Sequence, residues 1–358
     1  MKRFLVILPL LLCFGCAAKQ QQSDAETMFY PALPQQPRLQ YLMTINSERD
    51  IEEPRSALAQ FIIGDVAAEK IIDKPYDIAS LPGKIFILDR TFKKLLVIDL
   101  ATRQFSFLDD RRMGALLDPS GIWVTPDGKK YIADMKRQQV VVFDAENNYL
   151  RSYGGKDMLE KPVDVAVAGG RLYVCDMDAN RIAVIDEASG ELLKSFKDLK
   201  TAEGSLYKPT HINIDTKGNI FVNDAFNHQI QQFDENGIHM KSFGYHGDAI
   251  GAFARPKGLD IDRQGHLYAA DAAFENIQIF DGESTKLLLF FGGGGNKPGN
   301  MFLPAGVHID YENAAYFSEF ADKDFQIEYL VYVGNMFGTT KLNVYGYGTW
   351  KGSEPVVQ

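Results

Sequence analysis

The chain has 358 residues, 46% of them hydrophobic and 24% charged, enough apolar material for a sizeable core and too much for a disordered chain. Its formal net charge of −9 leaves no surplus of lysine and arginine to neutralise phosphates, which argues against a nucleic-acid binder. The densest basic run, Lys129-Lys130 with Lys136-Arg137, reads as a solvated turn.

In chain order, the first residues read as a targeting segment. Met1-Lys2-Arg3 is a short basic head, Phe4 to Leu12 is apolar, and small Gly15 precedes Cys16. This order resembles a bacterial lipoprotein signal, in which cleavage before a cysteine leaves that residue to be lipidated. The resemblance implies removal of residues 1–15, lipid on Cys16, and a mature chain held at the bacterial cell envelope, on the outer membrane. Such signals usually carry leucine three positions before the cysteine; here Cys13 stands there, with Leu12 one further back. A retained spanning helix fits less well, because the apolar run is short for a bilayer. Residues 16–37 are rich in Gln and Pro and read as an extended tether.

The folded domain is expected over residues 38–350, with residues 351–358 as a tail. Leu39 to Ile45 looks like an isolated strand, similar to the closing strand of the repeat described below. Residues 46–72 interrupt the pattern: Pro54 can open a helix, and Leu58, Phe61, Ile62 and Val66 follow at helical spacing, which predicts a short amphipathic helix packed on the domain. From Lys74 onward a repeat takes over. Pro75, Pro119, Pro162, Pro209, Pro256 and Pro304 each open a unit, at spacings of 44, 43, 47, 47 and 48 residues.

Residues 208–244 give the unit in full. Ile212 to Asp215, Ile220 to Asp224, Ile230 to Asp234 and Ile238 to Phe243 are short apolar or semi-polar runs closed by Gly-, Asn- and Asp-bearing turns, which predicts a four-stranded antiparallel meander. Many strands are apolar on both faces, as Leu172 to Cys175 and Val140 to Phe143 show. Such strands suit sheets buried between neighbouring sheets, the arrangement of radially packed blades.

These residues resemble the NHL repeat, P-x-G-strand-D-x-x-G-strand-AD-x-x-N-x-strand-FD-x-x-G-x-x-x-x-FG, nearly complete in residues 208–244 and 255–292 and traceable over about 74–347. The resemblance implies an all-β, six-bladed β-propeller of four-stranded antiparallel blades. The last unit departs from the pattern, with Tyr316-Phe317-Ser318-Glu319 where the AD ending belongs and a longer strand from Phe325 to Val333. A ring of blades needs closure, and residues 39–45 are the natural strand to add to the last blade.

Candidate chemistry is sparse. Asp89, Asp134, Asp176, Asp224 and Asp271 end the second strand in five units; a residue present in every copy reads as structural, its carboxylate accepting amides of the following turn. Differences between copies are more informative. Two residues after each opening proline stand Asp77, Gly121, Asp164, His211, Gly258 and Gly306, positions that six-fold geometry brings to one level of the central channel. Asp77, Asp164 and His211, with His308 as a weaker addition, are types that ligate a divalent cation or polarise a substrate. Six-bladed relatives that carry metals, the peptidylglycine amidating lyases and gluconolactonase-like hydrolases, place ligands near such positions, but the lyases use several histidines and this ring offers one. Satisfied polar groups at a channel mouth are the plainer reading.

The remaining signals are weak. Cys175 lies in an apolar strand and reads as a core residue. His228 occupies a turn, and His239, His246 and His266 read as exposed. The run Gly292 to Gly295 lacks the ending of a phosphate loop. Two functions follow. The first is a non-catalytic, lipid-anchored scaffold that binds a protein or polysaccharide of the envelope. The second is a metal-dependent lyase or hydrolase with its site at the channel mouth. Fold cannot choose between them.

Overall fold

The computed structural model describes residues 28–52, 69–108, 112–196, 205–295 and 297–352. Cys16 and the helix expected over 54–66 lie outside these residues. Among the described residues no helix is long and apolar enough to cross a membrane.

Six sheets follow one another around a ring. Their innermost strands are Pro75–Leu81, Pro119–Val124, Pro162–Ala168, Pro209–Ile214, Pro256–Ile261 and Pro304–Asp310, which define blades 1 to 6. Blades 1 to 5 are simple four-stranded antiparallel meanders; in blade 4 the strands are Pro209–Ile214, Ile220–Asp224, Gln229–Phe233 and His239–Phe243. Each opening proline suits its place, because the first residue of an edge strand has no ladder amide to supply. Just after it, every innermost strand slips register, as between Pro75 and Asp77 or Pro209 and His211. This bulge inserts residues such as Tyr76 and Thr210 and turns the next side chains toward the channel.

The hydrophobic core is divided into layers between blades. Phe86, Leu88 and Val97 of blade 1 pack on Ile122, Ile132 and Val141 of blade 2, and equivalent layers fill the other seams. The seam between blades 6 and 1 joins Tyr332 and Val344 to Ile87 and Leu96. Both faces of the middle strands are therefore buried, which accounts for their unbroken apolar runs.

Blade 6 closes the ring with both chain ends. Its order from the centre is Pro304–Asp310, Phe325–Asn335, Leu342–Trp350, then Leu39–Ile45. Leu39 and Ile45 are fully buried there. A fifth strand, Phe29–Tyr30, pairs with Leu39 and Gln40, so β structure begins inside the stretch that composition assigns to the tether. Tyr316-Phe317-Ser318-Glu319 does not stand in for the AD ending. Ala314–Phe317 is a helical turn continued by the 3-10 turn Ser318–Phe320, and the second strand ends instead at Asn335, paired with Pro304 as Asp89 pairs with Pro75.

The two halves of the basic run sit at opposite ends of the strand Lys130–Asp134 and form no patch. Lys130 is buried, its Nζ donating to the carbonyls of Gly128, Asp144 and Ala145.

Candidate functional site at the channel mouth

Three side chains expected at one level of the channel, and His308 two residues further along its strand, come together. Asp77, Asp164, His211 and His308 line one cavity of about 280 Å³ inside the channel. Their partners show what they do there. Asp77 Oδ2 accepts the Ile122 amide of blade 2 at 2.7 Å, while Oδ1 accepts Ile78 N at 2.9 Å. Asp164 repeats the arrangement toward blade 4, accepting Ile212 N at 2.9 Å and Val165 N at 2.8 Å. Asp260, two residues further down its strand, does the same toward blade 6, accepting Ile309 N at 2.8 Å and Ile261 N at 2.7 Å.

These carboxylates are clamps between neighbouring blades. The other three seams are closed by Ser120 donating to Val163 O at 2.7 Å, by Asn223 donating to Pro256 O and Lys257 O, and by His308 Nε2 lying 2.9 Å from Ser80 Oγ. Close strand approach at the ring also explains its glycines: a Cβ on Gly121 would collide with the Asp164 carboxylate, and one on Gly258 with Ala305 O.

Burial governs the charges. It pushes Asp77 up to about 6, against the amides of Ile122 and Ile78 and the His308 charge. Asp164 is raised well above the usual carboxylate range by burial and then by the Asp77 charge. His211 is driven down to about 3 by burial, with Lys257 adding to it, so its ring is neutral. Its Nε2 is buried without a hydrogen-bond partner, and Nδ1 reaches Thr210 Oγ1 at 3.3 Å. For His308 burial opposes the charge, but the hydrogen bond and charge of Asp260 outweigh it and hold the pKa above 6.5. Asp260 Oδ2 stands 3.1 Å from His308 Nδ1. Both nitrogens of His308 are thus engaged, and His211 contributes one free nitrogen. Among the described residues no group of three or more His, Cys, Asp or Glu side chains is placed to hold a metal ion.

Above this ring, at the end where the innermost strands begin, lies a larger cavity of about 570 Å³. Its floor is made of bulge residues, Tyr76, Val163, Thr210 and Lys257. Its walls come from turns after the second strands, among them Arg90, Met135, Met177 and Phe226. The Tyr76 ring stacks on His211 with centroids 5.7 Å apart, so the mouth cavity and the channel cavity meet across that pair. Arg90 and Lys257 sit over the same Tyr76 ring, at 5.1 and 5.6 Å. Phe226 is 61% exposed and meets Tyr207, 49% exposed, at 5.3 Å, a bare aromatic pair beside the opening.

Comparing copies two residues after the proline finds the clamps but misses this mouth. The informative positions lie one residue earlier, where Tyr76 and Lys257 stand, and just past the second-strand aspartates, where Arg90 stands. Asp260 was likewise one comparison away: four residues after the proline the copies read Ala79, Trp123, Ala166, Asn213, Asp260 and His308. The second-strand aspartates are structural as expected. Asp89 accepts the amides of Thr91 and Phe92, and also reaches back to Asp73 and Lys74. Cys175 is buried, and burial raises its thiol well above the ordinary value.

No family model matches the chain, and no curated protein matches it in sequence. Similar solved structures share the architecture. A Bacteroides thetaiotaomicron protein of unknown function superposes with a TM-score of 0.61 at 14% identity, covering 86% of this chain and 75% of its own. A streptogramin B lyase gives 0.52 at 13% identity over 78% of this chain and 86% of its own. Kuenenia stuttgartiensis hydrazine synthase gives 0.52 at 14% identity over 78% and 98%. At these identities the likeness establishes the propeller fold alone.

Proposed function

We propose that the protein is a non-catalytic binding scaffold, an NHL-type propeller anchored through lipid on Cys16 and facing a protein or polysaccharide partner in the bacterial cell envelope. One observation carries this reading. The aspartates inside the channel are committed to holding blades together, whereas the mouth opens to solvent and carries exposed Phe226, paired with Tyr207 beside the opening. Recognition surfaces are typically built from aromatic anchors that a rigid frame holds in place. The basic-apolar-Gly-Cys order at the N-terminus supports the anchor.

The test uses photo-crosslinking in intact cells. A photoreactive residue is placed at Phe226, at the mouth, or at Lys217, an exposed turn at the far end of blade 4. A discrete adduct from Phe226 and none from Lys217 is expected, with the Phe226 adduct lost when Cys16→Ser releases the chain from the membrane fraction. Adducts from Lys217 alone, or a Cys16→Ser chain that keeps both its location and its adduct, would contradict the reading.

A further inference from the structure

The chain is acidic overall, yet the mouth cavity is lined by Arg90, Lys161, Arg255 and Lys257 against a single carboxylate, Asp118. Asp118 is already used, its Oδ1 accepting from Arg90 Nη2 at 3.0 Å. Lys161 has Asp178 at 3.8 Å. Among the described residues no carboxylate pairs with Arg255 or Lys257. Both are nonetheless held in place: Asp271 accepts the Arg255 amide, and Asn223, buried in blade 4, grips the Lys257 carbonyl at 2.8 Å. Burial lowers Lys257 to about 8, and the charges of Arg255 and Arg90 add to the effect. Cations clustered without counter-charge repel one another, and an anion between them relieves that repulsion.

We propose that the mouth is a site for a small organic anion. Its carboxylate or phosphate sits between Arg255, Lys257 and Arg90, and its apolar part lies against Phe226, Met135 and Met177. The cavity volume lies within the ordinary range for small-molecule sites. Arginine supplies a planar fork for either headgroup, and the lysine supplies a compact charge. The proposal rests on the mouth being the binding face.

The test is calorimetric titration of the purified mature chain with benzoate, phenyl phosphate, inorganic phosphate and neutral benzyl alcohol. Saturable binding of benzoate or phenyl phosphate is expected, and the better of the two identifies the headgroup the site suits. Benzyl alcohol should not bind, and inorganic phosphate should bind more weakly than phenyl phosphate. Arg255→Gln and Lys257→Gln should each weaken the anion by roughly 10-fold or more, since charged hydrogen bonds are worth about 1.5–3 kcal/mol. Arg255 is exposed, so its substitution leaves folding intact, and Lys257→Met serves if glutamine disturbs the bulge. Absence of saturable binding by both organic anions, or affinities unchanged in Arg255→Gln, would overturn the proposal. Anion binding in a chain that yields no Phe226 adduct would sink the scaffold reading and leave this one standing. An adduct without anion binding would do the reverse.

Discussion

At the scale of single residues, two buried histidines in one channel behave oppositely because their surroundings differ. His211 is buried against Tyr76 with the Lys257 charge nearby and no carboxylate bonded to its ring, so it stays neutral down to about pH 3. In the unfolded chain it takes a proton near its ordinary value of 6.5, so the stability it contributes is complete above 6.5 and is lost as the pH falls below it. His308 lies against Asp260 and near Asp77, and its folded pKa is raised. Its contribution is therefore complete below 6.5 and lost as the pH rises through the folded value. Melting temperatures across this range should separate the two. His211→Phe keeps the stack on Tyr76 and should flatten the acid side of the profile, while His308→Gln should flatten the alkaline side. Profiles parallel to that of the unsubstituted protein would mean that neither environment is as described. That His211 and the two aspartates share a level was legible from repeat register alone. The plainer reading, satisfied structural polar groups, suits the two aspartates, but the amides they clamp were not legible, because every residue offers a backbone amide and no motif marks one.

At the scale of elements, the strand Leu39–Ile45 does the most for its length. It seats Leu39, Leu42 and Ile45 in the layers on both sides of blade 6 and pairs along Leu342–Trp350. Fully burying such a side chain contributes about 1.5–3 kcal/mol, so deleting residues 38–46 should cost about 5 kcal/mol or more. The same deletion bares a paired edge, so the loss should appear in thermal denaturation as a large fall in Tm together with aggregation. An unchanged Tm would show that Leu342–Trp350 suffices as the outer strand. The short strand Phe29–Tyr30 contributes less, chiefly through Phe29 against Trp350 at 5.3 Å. Five blades were legible because each repeats proline, turn and aspartate at fixed offsets. Blade 6 was legible only in outline, since its first and second strands are joined through the turns Ala314–Phe317 and Ser318–Phe320 and its closing strand lies some 300 residues away in sequence.

At the scale of the whole molecule, six seams are each closed by an apolar layer and by polar clamps near the axis. Asp77, Asp164 and Asp260 provide clamps at alternate seams, and Ser120, Asn223 and His308 at the others. The ring is rigid where its acids are and open where its cations and aromatics are. Such a division suits recognition at the mouth and leaves few acidic oxygens free for metal chemistry in the channel. The mouth was missed in sequence because Arg90, Arg255, Lys257 and Phe226 come from three blades and stand at repeat positions other than the one two residues after the opening proline. The most direct measurement is elemental analysis of the purified protein after equilibration with divalent cations. The account predicts no stoichiometric metal. One bound ion per chain, lost on His211→Ala in a protein that remains folded, would contradict it and return the channel ring to catalysis.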